Sequence, residues 1–228
     1  MMLGIAAILL ILLIFGPSLW AKHIFKKYAV EIDAFPGTGG ELADHLVKRL
    51  ELGDVHVEEG EQNENYYDPE NKLVKLSPEN FNGKSLTAIT VAAHEIGHAI
   101  QHKSGYKPLA LRSRMARFSW AAEKIAAMML VAFPFLTLLT RSPPVGIFTL
   151  ACGLTILLLP VLVHLITLPV EWDASFKRAL PVLIAGKYIP ESAIPIAKRI
   201  LTAAALTYLA ASLASILNFY RWLIFLRR

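Results

Sequence analysis

The sequence predicts a mainly α-helical membrane protein, with about four transmembrane helices and a small α+β minidomain at the membrane surface. Three observations carry this expectation. The chain of 228 residues is 55% hydrophobic and only 18% charged, with a mean hydropathy of +0.48, which is too apolar for an ordinary soluble domain. All 18 acidic residues fall within residues 21–124 and 171–199, so polar segments alternate with long uncharged runs. The first polar segment carries His94-Glu95-Ile96-Gly97-His98 inside a helix-like window.

Taken in order, residues 1–21 are uncharged and long enough for a hydrocarbon core of about 30 Å, so they read as an N-terminal transmembrane anchor. A cleaved signal peptide fits less well: no basic region precedes the apolar run, and Trp20 spoils the small-x-small cleavage pattern. Residues 22–124 form the polar minidomain. Thr38-Gly39-Gly40 introduces an amphipathic helix over 41–50, where Leu42, Leu46, Val47 and Leu50 recur at helical spacing. Residues 55–58 and 72–76 alternate apolar and polar and predict an antiparallel ribbon, joined by a turn-rich loop over 61–71. Ser85 then caps a helix that Ser104-Gly105 stops.

Residues 125–170 read as a transmembrane hairpin, with runs 125–140 and 145–170 separated by Arg141-Ser142-Pro143-Pro144. Residues 171–199 are polar again, and 200–228 hold the last span, with small residues from Ala210 to Ser215 as a packing face. Lys22, Lys26, Lys27, Arg112, Arg114, Arg117, Lys124, Lys177, Arg178, Lys198 and Arg199 all fall on one side if the spans alternate. That side is expected to be the cytoplasm, although Arg221, Arg227 and Arg228 work against the assignment. The net charge of +5 then reflects orientation and attraction to anionic lipid rather than nucleic-acid binding. The single Cys152 excludes a disulfide framework and a cysteine metal site.

The chemistry lies in the HEIGH stretch. Residues four apart on a helix share a face with Cβ atoms about 5–6 Å apart, so His94 and His98 can grip one metal ion. Glu95 follows the first histidine and can reach a water on that metal as general base. This is the zinc-hydrolase HExxH arrangement. The competing reading is a core helix marked by Ile96, Ala99 and Ile100, whose histidines only make hydrogen bonds.

A catalytic zinc normally takes three protein ligands and a water. His102 lies about 6 Å beyond His98 along the helix, which suits one tetrahedral ion poorly. His164 lies inside a span, where bonding to a neighbouring helix is the simpler role. Glu171, in Leu168-Pro-Val-Glu-Trp-Asp-Ala174, is the strongest candidate, because alternation of spans returns it to the side of the HEIGH helix. Asp173 is a candidate to hydrogen-bond a histidine N–H behind the ligands. Tyr67, Tyr66 and His45 are candidates for stabilising an oxyanion. The strand 72–76 is a candidate for pairing with extended substrate.

Two stretches, residues 66–106 and 168–175, resemble the YugP-like neutral zinc metallopeptidases of bacterial membranes, and the resemblance spans most of the chain. Those proteins in turn look related to HtpX-like membrane proteases, whose pattern joins HExxH to a glutamate from a distant helix. The resemblance implies a zincin-like site with His94, His98 and Glu171 as ligands of one Zn2+ and Glu95 as general base. In the HtpX-like pattern an aspartate often follows the ligand glutamate by four residues. Here that position is Ser175, which puts an orienting role for Asp173 in its place.

The implied activity is a multi-pass metalloendopeptidase of the bacterial plasma membrane. It would hydrolyse peptide bonds with a zinc-activated water, on membrane-associated or misfolded proteins. Two other readings stand beside it: a non-catalytic membrane scaffold with a structural zinc, and a site-2-type intramembrane metalloprotease. Polar residues from Ser85 to Lys103 bracket too short an apolar stretch for the HEIGH helix to span a membrane, which favours a surface site. Oligomeric state is not legible from the residues.

Overall fold

The computed structural model describes residues 2–33, 35–156 and 159–227, with side chains described from Phe15 to Ala210 and sparsely beyond. Helix α1 (Met2–Lys27) leads into the polar region, which comprises α2 (Gly39–Arg49), β1 (His56–Glu59), β2 (Tyr66–Asp68), β3 (Leu73–Leu76), a short α3 (Pro78–Phe81) and α4 (Leu86–Lys103). Next come α5 (Lys107–Thr140), α6 (Pro143–Ile156) and α7 (Leu159–Trp172). A π-helical turn, Asp173–Ala179, joins α7 to α8 (Leu180–Ala185), and α9 (Ile194–Arg227) ends the chain.

Side-chain caps fix the starts of α2 and α4. Thr38 and Glu41 form a reciprocal capping box at α2, with the Thr38 N–H donating to Glu41 Oε2 at 2.8 Å. Ser85 Oγ accepts the Ala88 N–H at 3.1 Å and so fixes where α4 begins. Gly105, at φ +64°, takes the left-handed conformation that ends it.

The ribbon departs from expectation. β1 pairs with β3 in parallel, from His56 opposite Leu73 to Glu59 opposite Leu76. β2 lies within the stretch expected to be loop and pairs antiparallel to β3, giving the order β1-β3-β2. Asp68 explains the turn from β2 to β3: its Oδ1 accepts the backbone N–H of Glu70 at 2.8 Å and of Asn71 at 3.3 Å. That turn makes β2 and β3 the hairpin, so β1 is left to pair with the other edge of β3. As the central strand, β3 has neighbours on both edges and no free edge for a substrate strand, a correction to the expectation for 72–76.

The sheet and α2 enclose α4 from the polar side, with Leu46, Val74, Leu76, Ala92, Ala93 and Ile96 buried together. The start of α4 is tied to the end of α1, because Thr87 Oγ1 donates to the Phe25 carbonyl at 2.9 Å and the Thr87 N–H to the Tyr28 carbonyl at 3.1 Å. On its other side α4 packs on the π-helical turn, and α9 packs against α1, α4 and α7.

Among the described residues, three helical stretches are long and apolar enough to cross a membrane: Lys107–Thr140, Pro143–Ala185 and Glu191–Ala210. The first two contain the expected hairpin, which turns at Arg141 with φ 49°. The third starts well before residue 200 and includes the charged Lys198 and Arg199. The first expected span, residues 1–21, falls largely on residues whose side chains lie outside the described set, as does the end of the fourth.

Candidate metal centre

One helical turn separates His94 from His98 on α4, and the rings stand edge to face with centroids 4.8 Å apart. Both rings point at a single oxygen. Glu171 Oε2 lies 3.1 Å from His94 Nε2 and 3.3 Å from His98 Nε2. His94, His98 and Glu171 are all buried, each offers one ligand atom, and those atoms lie within 4.8 Å of one another. Among the described residues this is the one grouping of three or more such side chains that could hold a metal ion.

Glu171 reaches α4 because Gly97, inside the HEIGH stretch, has no side chain. A Cβ there would stand 2.6 Å from the Ala174 carbonyl oxygen, so the π-helical turn touches α4 backbone to backbone. The same turn brings Ser175 Oγ to 3.1 Å from His94 Nδ1. On the other histidine, His98 Nδ1 lies 3.0 Å from Gln101 Oε1. Gln101 Nε2 in turn donates to the Val170 carbonyl and to Asp173 Oδ2, each at 2.9 Å. Asp173 therefore reaches His98 through Gln101 and makes no direct bond to either ring, a difference from the expected contact.

The donor set fits a divalent cation. Two imidazole Nε2 edges converge on one carboxylate oxygen, and an Nε2 whose ring carries its proton on Nδ1 offers only a lone pair. Lone pairs facing lone pairs in a buried site repel unless a cation or extra protons stand between them. Two imidazole nitrogens and one carboxylate oxygen match the three-ligand set of catalytic zinc. Among the described residues Glu171 Oε1 has no hydrogen-bond partner, and Arg112 Nη1 lies 3.5 Å from it.

The centre opens to one side. His94 and Glu95 line a cleft of about 910 Å3 whose other walls come from Lys22 and Lys26 of α1, Asn63 and Asn65 ahead of β2, and Thr207 and Tyr208 of α9. Glu95 is buried, and burial pushes its carboxyl up to about 7; His94 opposes that rise, the Glu171 charge adds to it, and Arg112 and the Tyr67 backbone N–H oppose it.

The other expected candidates lie elsewhere. The Tyr67 hydroxyl is 2.7 Å from His102 Nδ1, so each occupies the other. Burial, with the Asp68 charge, pushes the phenol up to about 12 and keeps it protonated as a donor. Tyr66 is exposed on β2. His45 bonds the Tyr188 hydroxyl at 2.9 Å beside a separate cavity lined by Phe35, Leu42 and Ile89. His164 and His102 are not members of the ligand cluster. Sequence reasoning passed over Gln101 and Arg112 and treated Ser175 only as a missing aspartate. The QH pair after HEIGHAI, one turn beyond His98, was the available signal for Gln101.

The chain is 34% identical over 213 residues, 91% of its length and 90% of the relative's, to a protein of Bacillus subtilis (strain 168) named "Putative membrane protease YugP". No solved structure matches the chain. A family model described as "Putative neutral zinc metallopeptidase" matches residues 3–227, and the chain belongs to that zinc metallopeptidase family.

Proposed function

We propose that this protein is a membrane-bound zinc endopeptidase whose site lies at the membrane surface, on the cytoplasmic side. The observation that carries the reading is the convergence of His94, His98 and Glu171 next to Glu95 in an open cleft. His94, His98 and Glu171 would hold the zinc. Bound there, zinc supplies a Lewis acid that polarises a peptide carbonyl and acidifies water. Glu95 takes the proton of the attacking water and returns it to the leaving amine nitrogen. Its place beside His94 in the wall of the cleft supports the role.

An extended substrate can align along the outer edge of β2, where the Tyr67 backbone N–H is directed at Glu95. Polypeptides beside the bilayer are the natural substrates of a cleft walled by α1 and α9. A structural zinc normally takes four protein ligands, whereas the cluster among the described residues has three. α4 is not among the stretches apolar enough to span a membrane, which favours surface over intramembrane cleavage.

The test uses detergent-purified wild type, Glu95→Gln and Glu171→Ala, with zinc content and peptide hydrolysis measured side by side. Glu95→Gln is expected to keep its zinc and lose about 10²–10⁴-fold in turnover. Glu171→Ala is expected to lose the metal. Undiminished hydrolysis by Glu95→Gln overturns the mechanism.

A further inference from the structure

The two histidines of the centre are backed by partners that differ in kind. Ser175 Oγ, 3.1 Å from His94 Nδ1, is a hydroxyl that donates or accepts and so accommodates either tautomer of that ring. Gln101 permits only one. Its side chain is fully buried on α4, and its amide reaches the Val170 carbonyl and Asp173 Oδ2, both at 2.9 Å. Both of those groups only accept, so the Gln101 NH2 faces them and its Oε1 faces His98 Nδ1 at 3.0 Å. An amide oxygen only accepts, which requires the proton of His98 to sit on Nδ1. Nε2 is then left with its lone pair, 3.3 Å from Glu171 Oε2. Asp173 is itself anchored, by Arg178 Nε at 3.3 Å and Lys177 Nζ at 3.9 Å.

We propose that Gln101 is a positioning residue that presets the His98 tautomer for the metal, transmitting the hold of Asp173 and the Val170 carbonyl across the crossing of α4 and the π-helical turn. The inference rests on the metal-centre reading. It makes the two ligand histidines unequal: His98 is locked before metal arrives, and His94 settles its tautomer when metal binds.

The test is the zinc dissociation constant of the full-length, detergent-purified protein, measured by competition with a chromogenic chelator. The visible spectrum of Co2+ substituted for zinc reports coordination geometry. Wild type is expected to bind one metal and His98→Ala to lose it; if either fails, the metal-centre reading falls, independently of Gln101. Gln101→Met keeps the volume and removes the lock. It is expected to weaken zinc by about 10–100-fold and to alter the Co2+ spectrum, whereas Ser175→Ala changes affinity by less.

Wild-type affinity in Gln101→Met overturns the proposal. The imidazole 15N shifts of the metal-free wild type, at a pH where the ring is neutral, read the His98 tautomer directly. A proton on Nδ1 is expected, and a proton on Nε2 overturns the proposal. This measurement carries the test alone if Gln101→Met does not fold.

Discussion

Two walls meet at the metal centre, and they are held in different ways. The α4 wall belongs to a filled core, where Val74, Leu76, Ala88, Ala92 and Ile96 leave almost nothing exposed. The α7 wall runs into an apolar stretch whose outer face stays uncovered by protein, with Leu162, Leu165 and Phe148 all exposed, and Leu138 and Leu139 likewise on neighbouring α5. The first wall is stabilised by burying apolar surface within the chain. The second has the composition of a surface that lipid would cover. Two ligands come from the wall with its own core and one from the wall without. The seam between them, at Gly97 and Ala174, is therefore as much a part of the centre as the ligands.

The largest effect that separates the walls should come from paired truncations. Leu76 is 0% exposed and Leu139 is 81% exposed. Leu76→Ala should cost about 2–5 kcal/mol of stability in detergent through lost burial and the cavity left behind. Leu139→Ala should stay within about 0.5 kcal/mol, as substitutions away from packed features do. Comparable losses for both, read from denaturant midpoints, would mean that Leu139 meets protein and that the contrast is false.

Next comes the seam itself. Gly97→Ala drives a methyl against the Ala174 carbonyl, a backbone atom that cannot swing aside. It should destabilise by about 1–3 kcal/mol and weaken zinc binding, although both histidines and Glu171 remain. Unchanged zinc affinity in that variant would show that the walls tolerate separation.

The smallest effect concerns Glu95 in metal-free protein. Its folded pKa of about 7 lies above the ordinary 4.5, so between those values the folded state holds a proton that the unfolded state has released. Stability from this group is then fully present below the lower value and falls as pH rises towards the upper one. Chelator-treated Glu95→Gln should therefore lose less in Tm between acid and neutral pH than chelator-treated wild type. Parallel Tm profiles would place the titration elsewhere.

Legibility in the sequence follows the same division. HEIGH was readable because helical spacing is local, and Ser85 and Gly105 bounded its helix for the same reason. Glu171 was readable through the alternation of spans, a coarse argument, and through the resemblance, and the structure sets it beside His94 and His98. β2 was hidden: three residues in a stretch of turn formers carry no period, and its pairing is set by the Asp68 turn together with β3. The parallel pairing of β1 with β3 depends in turn on β2 having claimed the other edge. Gln101 and Ser175 were hidden for a different reason. The contacts of Gln101 with Val170 and Asp173, and of Ser175 with His94, span 69 to 81 residues and form where two backbones touch at a glycine.

That contact sets the mechanics of the site. Where α4 and the π-helical turn touch, the α7 arm has its pivot, and Glu171 sits on the short side of the lever. Glu171 is about 4.5 Å along the axis from Ala174 and Leu159 about 22 Å, so a tilt of about 5° moves them by about 0.4 Å and 2 Å respectively. A tilt of the apolar arm would thus be geared down before it reached the ligand, and would leave the spacing of the triad nearly unchanged.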